Sequence, residues 1–273
     1  MYFDRIASKQ AAKELIRTHR PSPVLVTLVF ILLTSGVVSL VGLVAPNPFE
    51  QALTYIQEGY DVYSVFSYVF SQVSAPIGIF LGVLINFYTI VMGFGYSKYC
   101  LRLTRGEQAG YSTLIEGFNV AGRVILTSLL MSVFITLWSM LFVIPGIIAA
   151  YRYSQAIYCL IDDPAIGPLE AIRRSKAMMR GQKFNLFVLQ LTFIGWYFLA
   201  SGIVALVTAA VAALLGTHFL WLSALLSFAV ATALDIWLTP YVQLVTADFH
   251  NYLVGWRMDR SQTPPYQGPE LEF

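Results

Sequence analysis

Two residues in this sequence have a side-chain chemistry that clashes with their surroundings: Arg152 and Asp235 are the only ionisable groups inside its long apolar runs. A charge in hydrocarbon costs about 2.5 to 3.5 kcal/mol on insertion scales, so each calls for a partner or a purpose. Counting 1.5 Å per helical residue puts Asp235 roughly 24 Å from the outer end of its run. The expectation is an ion pair or a shared polar network between the two, either fixing helix register or lining a path for a solute.

Other reactive groups are sparse. The three histidines, His19, His218 and His250, are widely separated, and no HExxH, G-x-S-x-G, P-loop or dinucleotide fingerprint occurs. Ser154 and Ser175 have no evident base beside them. Cys100 and Cys159 stand apart at the ends of apolar runs, without metal-ligand spacing. The expectation is therefore a protein without catalytic residues, metal or cofactor. Asp162 and Asp163 could hold a cation, but capping and pairing with Arg173 or Arg174 is the simpler reading.

One cluster has the composition of a binding surface. Arg173, Arg174, Lys176, Arg180 and Lys183 form the most basic stretch, on a short amphipathic helix opened by Pro168 and stopped at Gly181. Such a stretch attracts anionic lipid headgroups, at about 1 kcal/mol per cation near the surface. Orientation of the chain in a membrane explains the same charges. Met178 and Met179 read as packing residues.

The elements that carry these residues follow from composition. Of 273 residues 57% are hydrophobic and only 12% charged, against roughly a quarter charged in soluble domains. The apolar residues come in long runs without period-2 alternation, which selects an all-α polytopic membrane bundle over a β-barrel. Six spans are expected, near 24–44, 76–96, 124–144, 147–161, 184–214 and 219–245. The third and fourth are joined by a short hairpin whose turn is expected at Pro145-Gly146. Gly78-x-x-x-Gly82 offers a site of close helix approach.

Residues 1–23 place Phe3, Ala7, Ala11 and Leu15 on one stripe and Arg5, Lys9, Lys13 and Arg17 nearly opposite, a cationic amphipathic helix suited to a membrane surface. Residues 24–254 form the six-span bundle and 255–273 a polar tail, all one membrane domain. With six spans, every one of the 17 Lys and Arg residues except Arg152 falls on one side. The positive-inside rule then puts both termini in the cytoplasm.

The chain also resembles the bacterial integral membrane family catalogued as domain of unknown function 975, through Lys9, Ala12 to Leu15, Leu103 to Gly106, and Leu137-Trp138 through Ile144-Pro145-Gly146. The likeness continues through Tyr151 to Ser154, Asp162, Pro164, Glu170 to Ile172, Ser175, Met178-Met179 and Gly181. It ends with Phe193 to Trp196, Pro240-Tyr241, Thr246-Ala247 and Phe249, after which His250 stands where the family pattern has tyrosine. The resemblance implies the helical membrane fold and the bacterial cytoplasmic membrane, with envelope homeostasis or bacteriocin self-protection as the expected setting. It implies no defined reaction.

Two functions remain open at this level. One is a non-enzymatic membrane protein engaging anionic lipid headgroups, or a membrane-protein partner or second copy, through its basic helices, with no nucleic acid involved. The other is a transporter or channel for a small or lipidic solute, using the Arg152 and Asp235 polar site.

Overall fold

The computed structural model describes residues 3–44, 76–215 and 220–255, together with 61, 63–65 and 67. Most of the expected outer loop, the turn at Gly216-Thr217-His218 and the tail beyond Gly255 lie outside the described residues. Those residues form helices and short connections, with no strand among them. Four helical stretches are long and apolar enough to cross a membrane: Pro23–Val41, Phe80–Thr104, Ser112–Leu141 and Lys183–Val211.

The first helix, α1 (Arg5–Thr18), starts where the Asp4 carboxylate accepts the N–H groups of Ile6 and Ala7, both at 3.0 Å. It does not lie alone on a surface as its charge stripe suggested. Ser8 and Ala12 are buried, and Phe3 packs on Phe249 and Tyr252 at ring separations of 5.1 and 5.3 Å. The reason is that small residues line one side of α1 and let it approach a neighbouring helix.

The next run is α2 (Pro23–Ile31), a π turn over Leu32–Gly36, and α3 (Val37–Val44). It pairs with α4 (Pro76–Thr104). The Thr27 hydroxyl is 2.7 Å from that of Tyr96, Phe30 stacks on Tyr96 at 4.5 Å, and the Tyr88 hydroxyl donates to the Leu33 carbonyl at 2.9 Å. That last carbonyl lies within the π turn, where the wider ladder gives it a side-chain partner.

After α4 the chain turns at Gly106, which has φ +71°, and climbs back through α5 (Ser112–Ile115) and a 3-10 turn over Glu116–Val120. Here backbones touch. A Cβ on Gly95 would collide with the Leu114 carbonyl, and one on Gly117 would lie 2.6 Å from the Val91 carbonyl. Among the described residues nothing stands within 4 Å of a Cβ at Gly82.

Helices α6 (Ala121–Leu141) and α7 (Val143–Tyr153) run in opposite directions, because Phe134 meets Tyr153 at 6.0 Å and Ser139 presses on Gly146. The reversal is made at Phe142 alone, with φ −160° and ψ 152°, which corrects the turn expected at Pro145-Gly146. Both of those residues sit in the first turn of α7. Proline is tolerated there because first-turn N–H groups have no intrahelical acceptor, and Gly146 leaves room for Ser139.

The chain continues through α8 (Ala156–Asp162), α9 (Pro168–Met178), α10 (Lys183–Leu215) and α11 (Leu220–Val254). The core is densest where α4, α8, α9, α10 and α11 meet, around Tyr99, Leu101, Tyr158, Met179, Leu186, Leu244 and Phe249. Cys100 and Cys159 are buried and free.

Candidate functional site

The densest part of the core surrounds a polar centre. Asp162 ends α8 and His250 lies near the end of α11. The His250 Nε2 is 2.9 Å from Asp162 Oδ2, and Arg105 donates from Nη1 to Asp162 Oδ1 at 2.7 Å. Nδ1 of the same ring is 3.1 Å from Gln155 Oε1, and Tyr158 stacks on the ring at 5.1 Å. Arg105 also donates from Nε to Asn251 Oδ1 at 2.9 Å, and Asn251 donates to the Thr104 hydroxyl at 3.0 Å. His250, Gln155 and Asn251 are fully buried.

Local chain chemistry explains this convergence. Consecutive residues on a helix point about 100° apart, so Asp162 turns inward while Asp163 turns out to Arg174 at 3.2 Å. Burial alone would raise the Asp162 pKa. The hydrogen bonds and positive charge from His250 and Arg105 outweigh it and hold the carboxyl below its ordinary value of 3.8. An ionised carboxylate only accepts, so the ring donates from Nε2. Imidazolium donates to Gln155 Oε1 as well, whereas a neutral ring requires the Gln155 amide to turn its NH2 inward.

The same centre anchors the basic helix. Between α7 and α8 the helix breaks at Ser154-Gln155, leaving the Arg152 carbonyl and the Gln155 N–H without intrahelical partners. Ser175 of α9 serves both: its hydroxyl donates to the Arg152 carbonyl at 2.9 Å and accepts from Gln155 N–H at 3.1 Å. Ala171, Ile172 and Ser175 form the buried face of α9, and Met179 follows in the core.

The outer face of α9 carries the expected cations. Arg173 pairs with Glu170 at 2.9 Å, and Arg174 reaches Asp163 and Glu170. Lys176, Arg180 and Lys183 make no ion pair among the described residues. Lys98 and Arg102 form a further charged group around Glu116, at 2.6 and 2.8 Å. Arg123 donates to the Pro164 carbonyl, tying α6 to the loop before α9.

The structure does not join Arg152 to Asp235. No ion pair or hydrogen bond links them. The Arg152 backbone is held by Ser175, while Asp235 is exposed on α11 within electrostatic reach of Tyr197 on α10. No group of three or more His, Cys, Asp or Glu side chains among the described residues has the arrangement of a metal site. Neither ring nitrogen of His250 faces a hydroxyl or thiol, because Asp162 and Gln155 occupy both.

The polar centre was only half visible in the sequence. Asp162, Ser175 and His250 are singled out by the sequence and Arg105 falls within the Leu103 to Gly106 stretch, but Gln155 and Asn251 carry no motif, and the meeting of all six depends on separate helices coming together. Comparisons with curated proteins and with solved structures yield no match. Residues 140–255, which hold Gln155, Asp162, Ser175 and His250, match the family model described as Protein of unknown function (DUF975), the family that the sequence resembles.

Proposed function

We propose that this chain is a six-span protein of the bacterial cytoplasmic membrane, with both termini inside, that engages anionic lipid headgroups through the α9 platform. Four helices already meet the length and hydropathy of a span. Helix α7 with α8 and the long α11 are the other two crossings of this reading. With six crossings the basic residues gather on one side, as cytoplasmic loops require.

The observation that carries the reading is the mounting of α9. Its inner face is fixed by Ser175, Ala171 and Ile172, and Lys176 on it, Arg180 in the turn that follows and Lys183 at the start of α10 make no ion pair among the described residues. A rigidly held cationic face binds headgroups without first being ordered. Arg173 and Arg174 contribute less, being shared with Glu170 and Asp163.

The test uses the reconstituted protein and spin-labelled lipids. The immobilised fraction of phosphatidylglycerol relative to phosphatidylcholine is measured for wild type and for a K176Q/R180Q/K183Q variant. A preference that falls by about fivefold per removed cation supports the reading. An unchanged preference overturns it. Transport along Arg152 and Asp235 ranks second, because no contact brings the two into one path.

A further inference from the structure

The second set of cations, on α1, is placed differently from those of α9. Lys9 donates from Nζ to the Thr192 hydroxyl of α10 at 2.7 Å and lies 5.0 Å from the centre of the Phe193 ring. Lys13 lies 5.9 Å from the ring of Tyr241 on α11, and Phe193 and Tyr241 pack edge to face at 5.4 Å. The half-buried Lys9 ammonium and the more exposed Lys13 ammonium thus flank one aromatic pair beside α11.

No carboxylate answers them. Arg5, Lys9 and Lys13 make no ion pair with an acidic side chain among the described residues. Burial, then the charges of Arg5 and Lys13, hold the Lys9 ammonium below its ordinary range. An anion placed between these cations would remove that repulsion.

A groove begins at the same spot. Thr192, Gly195, Trp196 and Leu199, which lie along one face of α10, line a shallow, open depression of about 210 Å³. A second groove of about 220 Å³ lies on the adjoining face, lined by Gln190, Phe193, Ile194, Tyr197 and Val242. Gly195 has nothing within 4 Å of a built Cβ, so the first groove stays open at its middle. Helix α10 has 33 residues, which is about 50 Å of helix against about 30 Å of hydrocarbon. That excess leaves room for its first turns, up to Thr192 about 14 Å along from Lys183, to stand outside the apolar layer.

We infer that Lys9, positioned by Thr192, and Lys13 hold the phosphate of one anionic membrane lipid whose chain lies in the groove along Gly195, Trp196 and Leu199. The two ammonium groups supply the donors that a phosphate oxygen set requires, while the Thr192 hydroxyl donates to the Leu189 carbonyl at 2.6 Å and accepts from Lys9. The aromatic rings and the missing side chain at Gly195 provide an apolar track leading away from them. The site is separate from the α9 platform, so either stands without the other.

Native mass spectrometry of the detergent-released protein tests the site, after equilibration with phosphatidylglycerol or phosphatidylcholine. Wild type should retain one phosphatidylglycerol and discriminate against phosphatidylcholine. K9Q/K13Q should weaken retention about thirtyfold, at roughly fivefold per ammonium. K176Q/R180Q/K183Q should keep that single lipid, which separates this site from the platform. Gly195→Leu, which fills the groove while leaving the charges, should also reduce retention, and it decides the matter if K9Q/K13Q fails to fold. Glycerol phosphate without acyl chains should not displace the lipid. Equal retention by wild type, K9Q/K13Q and Gly195→Leu overturns the assignment. So does full displacement by glycerol phosphate, which would make the site one for a free phosphate.

Discussion

The two ends of this bundle obey opposite rules. Where α4, α8, α9 and α11 converge, polar side chains are inside: His250 and Asn251 are 0% and 1% exposed, and Asp162 and Arg105 complete a closed set of hydrogen bonds around them. At the α6 and α7 reversal the apolar side chains are outside, with Met140 at 80% and Phe142 at 73%. The far half of α10 behaves alike, Phe198 being 74% exposed. The first end is built as a protein in water is built, with the polar groups around Asp162 and His250 answered. The second is built for a solvent as apolar as leucine, in which outward hydrophobes need no cover.

The contrast predicts unequal responses to substitution, and the largest belongs to the polar end. Asp162→Ala leaves Arg105 and His250 buried without their acceptor and should destabilise by about 2 to 4 kcal/mol. Thermal unfolding in detergent reads this, and a loss below about 0.5 kcal/mol would erase the contrast. The same carboxylate has a lowered pKa in the folded protein. Its stabilising contribution is therefore complete above the ordinary carboxyl value of 3.8 and is lost as pH falls through the lowered native value. Acid unfolding midpoints of wild type and Asp162→Asn should differ, and coincident midpoints would remove Asp162 from the account.

A smaller effect is expected where the ends grade into each other. Gly146→Leu drives a side chain into Ser139 and should destabilise by about 1 to 3 kcal/mol by forcing α6 and α7 apart. Unfolding monitored by a probe on α6 would show it, and an unperturbed variant would mean that the two helices are not tightly packed. The smallest effect belongs to the outward hydrophobes. Met140→Ala should change stability by less than about 0.5 kcal/mol. A larger loss there would show that Met140 is covered by something other than lipid.

The all-helical character and the long apolar helices could be read directly, because long apolar runs report a one-dimensional quantity. The position of the α6 and α7 reversal was misread by three residues. Pro145 and Gly146 look like a turn, yet a proline in the first turn of a helix and a glycine under a neighbouring serine are equally good uses of the same pair. The packing of α1 on the bundle was hidden for a related reason. Its charge stripe is genuine, but Lys9 and Lys13 carry their charges on stems long enough to cross onto aromatic rings of other helices. Asp162 and Asp163 were weighed together, although adjacent helical positions diverge, and nothing in their order says which one turns inward. Arg105 and Asn251 are 146 residues apart, and only tertiary packing makes them neighbours.

The single-residue connection at Phe142 bears on how the chain is made. No charged residue occurs between Arg123 and Arg152, and Phe142 leaves no loop to be carried through the bilayer. A translocation machine handling this segment has no hydrophilic cargo to export. On the proposed six-span arrangement the two helices enter lipid together as a closed pair, their reversal leading.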